Sequence, residues 1–469
     1  MLFQTNNIQN NIISIGFSLI PVSFMLGNSA INLNIILILI YSLFLFRSKI
    51  FKINLTLLDK IIIIFFTYTM LNGILNNFFN FNFAEAPDQN VVIKKSFLYL
   101  RFLLIYFILR FLISKKLINY KMIFLSFGFC SLFVSIDIII QFIFGKDIFG
   151  IESSDRRLSG LFDEEKIAGS FIQRFFIFLP YSLIIFSQIK SKFTLNIFFL
   201  LMLILILFGT VLSGNRVPFF MLIISLIFLG IFEKKLRLNL FVIFTLFLVG
   251  LFYLTIERGM YKHHYKNFVF QSLIVTKYFK NKINTGKVIA PDYCKNIDVK
   301  TDNSFYTPEE SKLISECSKY LNVYIKEFES GINTWEKNKI FGGGIKSFRF
   351  NCSRIERSKM EFFVSKKGDV NCNNHPHNYY LQIAAELGIV GLLLVIFLFT
   401  IIMIKCFNYL KSKETNFHEK RVLLPFFIIF MLEVFPFKTS GSFFTTANST
   451  FIFIILSFVI SIIQFKKYE

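Results

Sequence analysis

Negative charge and histidine are what this 469-residue chain has least of. Asp and Glu number 29 against 51 Lys and Arg, and there are five histidines, nine prolines and one tryptophan. No Gly-rich run has the Walker spacing, and neither a dinucleotide fingerprint nor a Ser/His/Asp arrangement is present. Nucleotide-driven, dinucleotide-dependent and serine-hydrolase chemistry are therefore set aside. No internal repeat or low-complexity linker occurs, which sets aside solenoids and flexible tethers. The first apolar segment lacks the basic start and small-residue cleavage site of a secretory signal peptide, so we read it as a permanent helix.

What is abundant is apolar surface. Hydrophobic residues make up 54% of the chain, with 66 phenylalanines. They fall in blocks near the roughly 20 residues that span a bilayer as a helix. The blocks lie at 9–27, 30–46, 59–78, 96–114, 121–144, 169–188, 193–212, 217–232, 238–256, 379–405, 421–437 and 447–465. The pattern predicts an all-α integral membrane protein with about twelve transmembrane helices. Residues 1–256 hold nine, 257–378 form a large, partly helical loop, and 379–469 hold the last three. Arg47, Lys49, Lys52, Lys115, Lys116, Lys190, Lys192, Lys234, Lys235, Arg237, Lys411, Lys413, Lys420, Arg421, Lys466 and Lys467 follow even-numbered spans. The positive-inside rule makes that face, with both termini, cytoplasmic. Much of the net charge of +22 is then orientation signal and calls for no nucleic acid.

The large loop falls outside the cytoplasm on this topology. It holds Cys294, Cys317, Cys352 and Cys372, an even number in an oxidising setting. The pairs Cys294–Cys317 and Cys352–Cys372 close the shortest loops, although three pairings are possible. Cys130 and Cys406 read as apolar filler. Thr307-Pro308-Glu309-Glu310 reads as a helix start, followed by Leu313, Ile314, Cys317, Tyr320, Leu321, Tyr324 and Phe328 at helical spacing. Gly331 is expected to end that helix, and Gly342-Gly343-Gly344 to form a tight turn.

Four polar clusters break the apolar pattern on the outer face. His375-Pro376-His377-Asn378 opens the tenth span, where an ionisable group is rarely idle. The competing readings are general base, structural residue and metal ligand. A histidine pair at i, i+2 without a carboxylate or cysteine cluster is a poor zinc signature, so no metal is expected. Arg216, in Ser213-Gly214-Asn215-Arg216, is either a snorkelling anchor or a phosphate fork. Arg157 lies in Asp155-Arg156-Arg157-Leu158-Ser159-Gly160, and Arg174 opens the sixth span. Arg174 either pairs with Asp163 or Glu164 or contacts substrate. Lys346 and Arg349 follow the glycine turn and are read either as a phosphate or sugar contact or as a solvated strand. The rings of His375 and His377 are expected to point differently, because a proline separates them.

Here the chain resembles the O-antigen ligase family, polytopic glycosyltransferases of the bacterial inner membrane. The likeness covers most of the chain. It rests on His377-Asn378, nine residues, then Gly388-x-x-Gly391, together with Ser213-Gly214-Asn215-Arg216. Arg157-Leu158-Ser159-Gly160-Leu161-Phe162, Phe341-Gly342-Gly343-Gly344 and Ser440-Gly441-Ser442-Phe443-Phe444 add to it. The resemblance implies a metal-independent, cofactor-free, inverting transfer at the periplasmic face. A glycan on undecaprenyl pyrophosphate would move to a sugar hydroxyl of a lipid A-core acceptor. His377 would be the base, Arg216 would bind the pyrophosphate, and Asn378, His375, Arg157, Arg174, Lys346 and Arg349 would contact substrate. One departure stands out. The family's second loop arginine, upstream of the glycine turn, has no counterpart in Ser330-Gly331-Ile332-Asn333-Thr334-Trp335, so Arg349, Arg354 or Lys346 is left to replace it. Polymerases and protein O-glycosyltransferases of the same superfamily would use the same donor. A lipid-glycan transporter also fits twelve helices, but would be expected to show repeated halves and broken helices, which the sequence does not suggest.

Overall fold

The computed structural model describes residues 8–79, 89–152, 157–163, 165–187, 191–257, 323–352, 373–439 and 441–464. Among them every regular element is a helix. We label α1 Ile8–Ser18, α2 Ile20–Met25, α3 Asn28–Phe46, α4 Leu57–Phe79, α5 Gln89–Tyr99, α6 Arg101–Ser114, α7 Tyr120–Phe144, α8 Ala168–Phe175 and α9 Phe178–Phe186. There follow α10 Lys192–Leu212, α11 Arg216–Phe232, α12 Arg237–Glu257, α13 Val323–Lys337, α14 Phe348–Asn351, α15 Tyr379–Lys411, α16 Phe417–Glu433 and α17 Thr446–Gln464. Nine described stretches are long and apolar enough to cross a membrane, and two shorter apolar helices cover 11–25 and 216–232. The protein is an all-α integral membrane protein, as its hydropathy predicts. The remaining expected span, 421–437, corresponds to α16, a 17-residue helix with Pro425 inside it.

Some helices start where a short polar side chain caps them. Asn119 accepts from Met122 N at the start of α7, and Gly145 ends that helix at φ 77°. Asn416 caps α16 in the same way. The central helix is α17, buried along nearly its whole length and packed on α3, α6, α15 and α16. A second layer forms where α7 packs on α1, α8, α9 and α10. Phenylalanine does much of the filling: Phe426 stacks on Phe458 at 4.4 Å, and Phe175 meets Phe24, Phe127, Phe171 and Phe451. By contrast α12 leaves Leu238, Phe241, Val249 and Phe252 exposed, which suits a lipid-facing helix.

One end of the bundle is latched by buried charge. Arg110 of α6 grips Asp59 of α4 through Nε at 2.9 Å and Nη2 at 3.1 Å, and its Nη2 also reaches Gln464 at 2.5 Å. Tyr106 donates to the same carboxylate. At that end too, Arg421 pairs with Glu233 at 2.6 Å. Because Gln464 ends α17, this latch lies at the opposite end from Asn448, which opens the helix.

The structure corrects two expectations about the helices. Gly331 does not end a helix. It lies inside α13, where a Cβ would stand 3.0 Å from Pro376 and 3.3 Å from Leu381, so its missing side chain admits Pro376. The tenth apolar span is also interrupted, because α15 breaks at Gly388. Pattern alone hides this break because the residues on both sides are equally apolar. The helix start expected at Thr307, together with Cys294, Cys317 and Cys372, lies outside the described residues. Cys352 is buried against Phe348, Ala385 and Trp335.

Candidate active site

The site forms where the Gly-rich turn docks into the break in α15. Gly388 takes φ 65° and ψ −170°, a region only glycine occupies readily. The break frees carbonyls that helical bonding would have used, and each finds a partner. Gly343 N donates to Ala385 O at 3.2 Å, Gly344 N to Glu386 O at 2.7 Å, and Tyr68 Oη to Leu387 O at 2.7 Å. In return Ile389 N donates to Lys339 O at 2.8 Å and Val390 N to Ile340 O at 3.4 Å. Gly342, at φ 70°, has no room for a Cβ, which would lie 2.5 Å from the backbone of Glu386 and Gly388. Asn72 and Asn76 of α4 hold the turn from the other side, at Phe341 O (2.5 Å) and Gly342 O (3.3 Å). The two glycine motifs seen apart in the sequence are therefore one joint.

That joint sets Lys346. Its backbone, at φ 70°, donates N–H to Glu386 Oε2 at 2.7 Å, and its Nζ reaches Ser442 Oγ at 3.3 Å. Gln382 bridges the same two groups, donating to Glu386 at 3.0 Å and to Ser442 at 2.8 Å. Burial pushes the Lys346 ammonium below its usual range, opposed by Glu386 and reinforced by the charges of Arg349 and Lys95. Arg349 itself is exposed, its guanidinium 5.9 Å from the Phe350 ring centre.

The histidines sit above the start of α15. Their ring centres are 4.4 Å apart and their planes are tilted by 54°, so the rings lie close together but face different directions. The positive φ of His377, 50°, turns the chain back and brings the rings together. Nε2 of His375 is buried and, among the described residues, has no hydrogen-bond partner. Burial, then the charges of His377, Lys346 and Arg349, push His375 down to about 4. It is neutral, and weakly basic, at physiological pH. Asn373 Nδ2 lies 3.4 Å from His377 Nε2 and also donates to Glu327, which is buried in α13. With the amide donating, Nε2 of His377 is the unprotonated nitrogen, and a hydroxyl has to displace the long Asn373 contact to reach its single lone pair.

Asn378 caps the start of α15. Its Oδ1 accepts from Tyr380 N at 3.0 Å and Leu381 N at 3.1 Å, while Nδ2 donates to Pro436 O at 2.7 Å. Arg174 is partnered differently from expectation. Among the described residues its ion-pair partner is not Asp163 but Glu433 at the end of α16, with Nη2 to Oε1 at 2.6 Å. Glu164 lies outside the described residues. Arg174 also reaches Asn448 at 2.7 Å and Tyr379 at 3.5 Å, over the Phe451 ring at 4.9 Å. Asn448 Nδ2 donates to Ser442 O at 2.8 Å, so one hydrogen-bonded string runs from Arg174 through Ser442 to Glu386 and Lys346.

The turn bearing Arg216 docks on α8. Asn215 accepts from Gly169 N and donates to Lys166 O, both at 2.9 Å, and Arg216 follows as the half-buried first residue of α11. Arg157 is half-buried at the edge of a segment clamped to α7. Asp137 accepts from Leu161 N at 2.9 Å and Ile148 N at 3.0 Å, and Gln141 accepts from Gly160 N at 2.9 Å. Glu386, Glu433 and Asp137 are functional or anchoring carboxylates that motif reading passed over. The signal was present, since an acidic residue inside an apolar block is costly unless partnered. Among the described residues, no three His, Cys, Asp or Glu side chains gather as a metal would need.

Residues 201–396 match the family model described as O-Antigen ligase. No curated protein matches the chain. The matched span runs from α10 into α15 and holds Arg216, Lys346, Arg349, His375, His377, Asn378 and Gly388. The similarity to O-antigen ligase thus spans residues 201–396, less than half of the chain, within a multi-pass membrane protein.

Proposed function

We propose that the protein transfers a glycan from undecaprenyl pyrophosphate to a sugar hydroxyl of a lipid A-core acceptor, by a metal-independent, inverting mechanism at the periplasmic face of the bacterial inner membrane. The observation that supports this most is the paired-histidine mouth, with Lys346 set behind it by the Gly388 joint. An attacking hydroxyl needs a base poised near neutral pH. His375 is too weakly basic for that task. His377, its Nε2 oriented by Asn373, is the base, and His375 packs beside it as a neutral partner. The pyrophosphate leaves with developing negative charge, which Arg216 and Lys346 stabilise as fixed cations. A low-dielectric setting strengthens both contacts.

The test is reconstitution of the purified protein with lipid-linked glycan donor and lipid A-core acceptor in EDTA, read as a ladder on a lipopolysaccharide gel. Attachment to the acceptor supports the reading. Lengthening of the lipid-linked glycan instead would make the protein a polymerase, and absence of both products from folded protein would reject glycosyl transfer.

A further inference from the structure

Beneath His377 lies a charge cluster that the proposed transfer leaves unused. Glu433, 2% exposed, gives each carboxylate oxygen a different cation. Arg174 Nη2 lies 2.6 Å from Oε1, and Lys438 Nζ lies 2.7 Å from Oε2. The Tyr379 hydroxyl donates to Oε1 at 2.7 Å, which ties the cluster to the helix start two residues after His377. One cation suffices to balance a buried carboxylate, and bringing a second out of water is costly. With all three groups charged the cluster carries 2 − 1 = +1. Lys438 is 8% exposed, while the Arg174 side chain keeps 13%. Arg174 directs Nε and Nη2 at Glu433, Asn448 and Tyr379, and among the described residues its Nη1 takes no partner. A planar fork with one arm unspent suits a phosphate oxygen.

We propose that Arg174 and Lys438, held side by side on Glu433, form a second anion subsite for a phosphate group on a lipid-linked substrate, with Glu433 as its positioning residue. The subsite deepens the reading above and rests on it for the identity of the lipid. The phosphate could belong to the donor's pyrophosphate or to a phosphorylated acceptor, which offer the same chemistry. Glu433 sets both the spacing of the two cations and the surplus charge they present. The Phe451 ring under the Arg174 guanidinium keeps the fork from swinging away.

Charge arithmetic gives the test. Glu433→Gln raises the cluster from +1 to +2, Lys438→Gln lowers it to 0, and the double variant returns it to +1. Full-length protein in neutral-lipid nanodiscs is titrated with undecaprenyl pyrophosphate, and in parallel with undecaprenol, which has no phosphate. The affinity for the pyrophosphate should be tightest in Glu433→Gln, equal in wild type and double variant, and weakest in Lys438→Gln. Each step should be about tenfold, the order expected of one nearby charge in a partly buried site. Undecaprenol should show no such order. If Glu433→Gln does not fold, the comparison of wild type, double variant and Lys438→Gln still carries the result. The same order seen only with the acceptor glycolipid would keep the subsite and assign it to the acceptor's phosphate. Equal affinities in all folded variants, or undecaprenol following the same order, would make the cluster a structural latch and overturn the proposal. Because binding is read without transfer, a protein that orders pyrophosphate affinity yet transfers no glycan would sink the proposed function and leave the subsite standing.

Discussion

Gly388→Ala isolates the joint that unites the two glycine motifs. A Cβ at this position would lie 2.0 Å from Ile340 O, 2.3 Å from Ile340 C and 2.6 Å from Phe341 N. All three are backbone atoms, so no rotamer change relieves the clash. The backbone angles themselves cost an alanine on the order of 1–3 kcal/mol. Separating the turn from α15 would also break the four backbone hydrogen bonds that join them. At about 1 kcal/mol net each, the total loss is roughly 5–7 kcal/mol if the joint opens fully. The control is Gly230→Ala in α11, where a Cβ would meet only Leu240 Cδ1 at 3.2 Å, the end of a flexible side chain. That change should be neutral or stabilise by a few tenths of a kcal/mol, since alanine suits a helix interior better than glycine. Thermal unfolding of both variants in detergent, followed by size-exclusion recovery, makes the comparison. Gly388→Ala should melt well below wild type and lose transfer, because Lys346 and Glu386 are placed by the joint. If it melts and transfers like Gly230→Ala, the joint is not what positions the site.

Arg216→Ala should abolish transfer while leaving folded protein in the membrane, and Arg216→Lys should restore only part, because charge returns without the fork. Full activity in both would reduce Arg216 to a helix anchor. Non-reducing peptide mapping should find at least one disulfide among Cys294, Cys317, Cys352 and Cys372, and four alkylatable thiols would refute that. Stability should also respond to His375. Its folded value of about 4 lies below the ordinary 6.5, so the unfolded chain binds the proton more readily between those values. The protein should therefore lose stability as pH falls from about 6.5 to about 4, by up to ~3 kcal/mol from this group. His375→Gln should flatten that slope, and an unchanged slope would mean the ring is not held neutral.

The membrane fold was legible because apolar block length is a strong signal, and the observed spans start and stop within a few residues of those blocks. Arg216 and His377 were legible because a charged or ionisable group stands out at an apolar boundary. The interior of the site was not. Glu433 answers Arg174 from 259 residues away, and Gly388 answers Gly342 across the large loop, so no local pattern couples them. Asn378 has a structural duty that its place beside a candidate base does not reveal: it caps the start of α15. The break at Gly388 was invisible for a simpler reason. Glycine is common in membrane helices, and only the neighbouring backbone shows why this one is needed.

The central claim, that His377 is the base of a glycosyl transfer, is tested most directly by His377→Ala and His375→Ala in the reconstituted transfer assay with EDTA present. Loss of general-base assistance is typically worth about 10²–10⁴ in rate. The account predicts a loss of that size for His377→Ala, a measurable remainder for His375→Ala, and full wild-type activity in EDTA. Equal activity of the two variants would place the base elsewhere, and a wild type silenced by EDTA would contradict the mechanism.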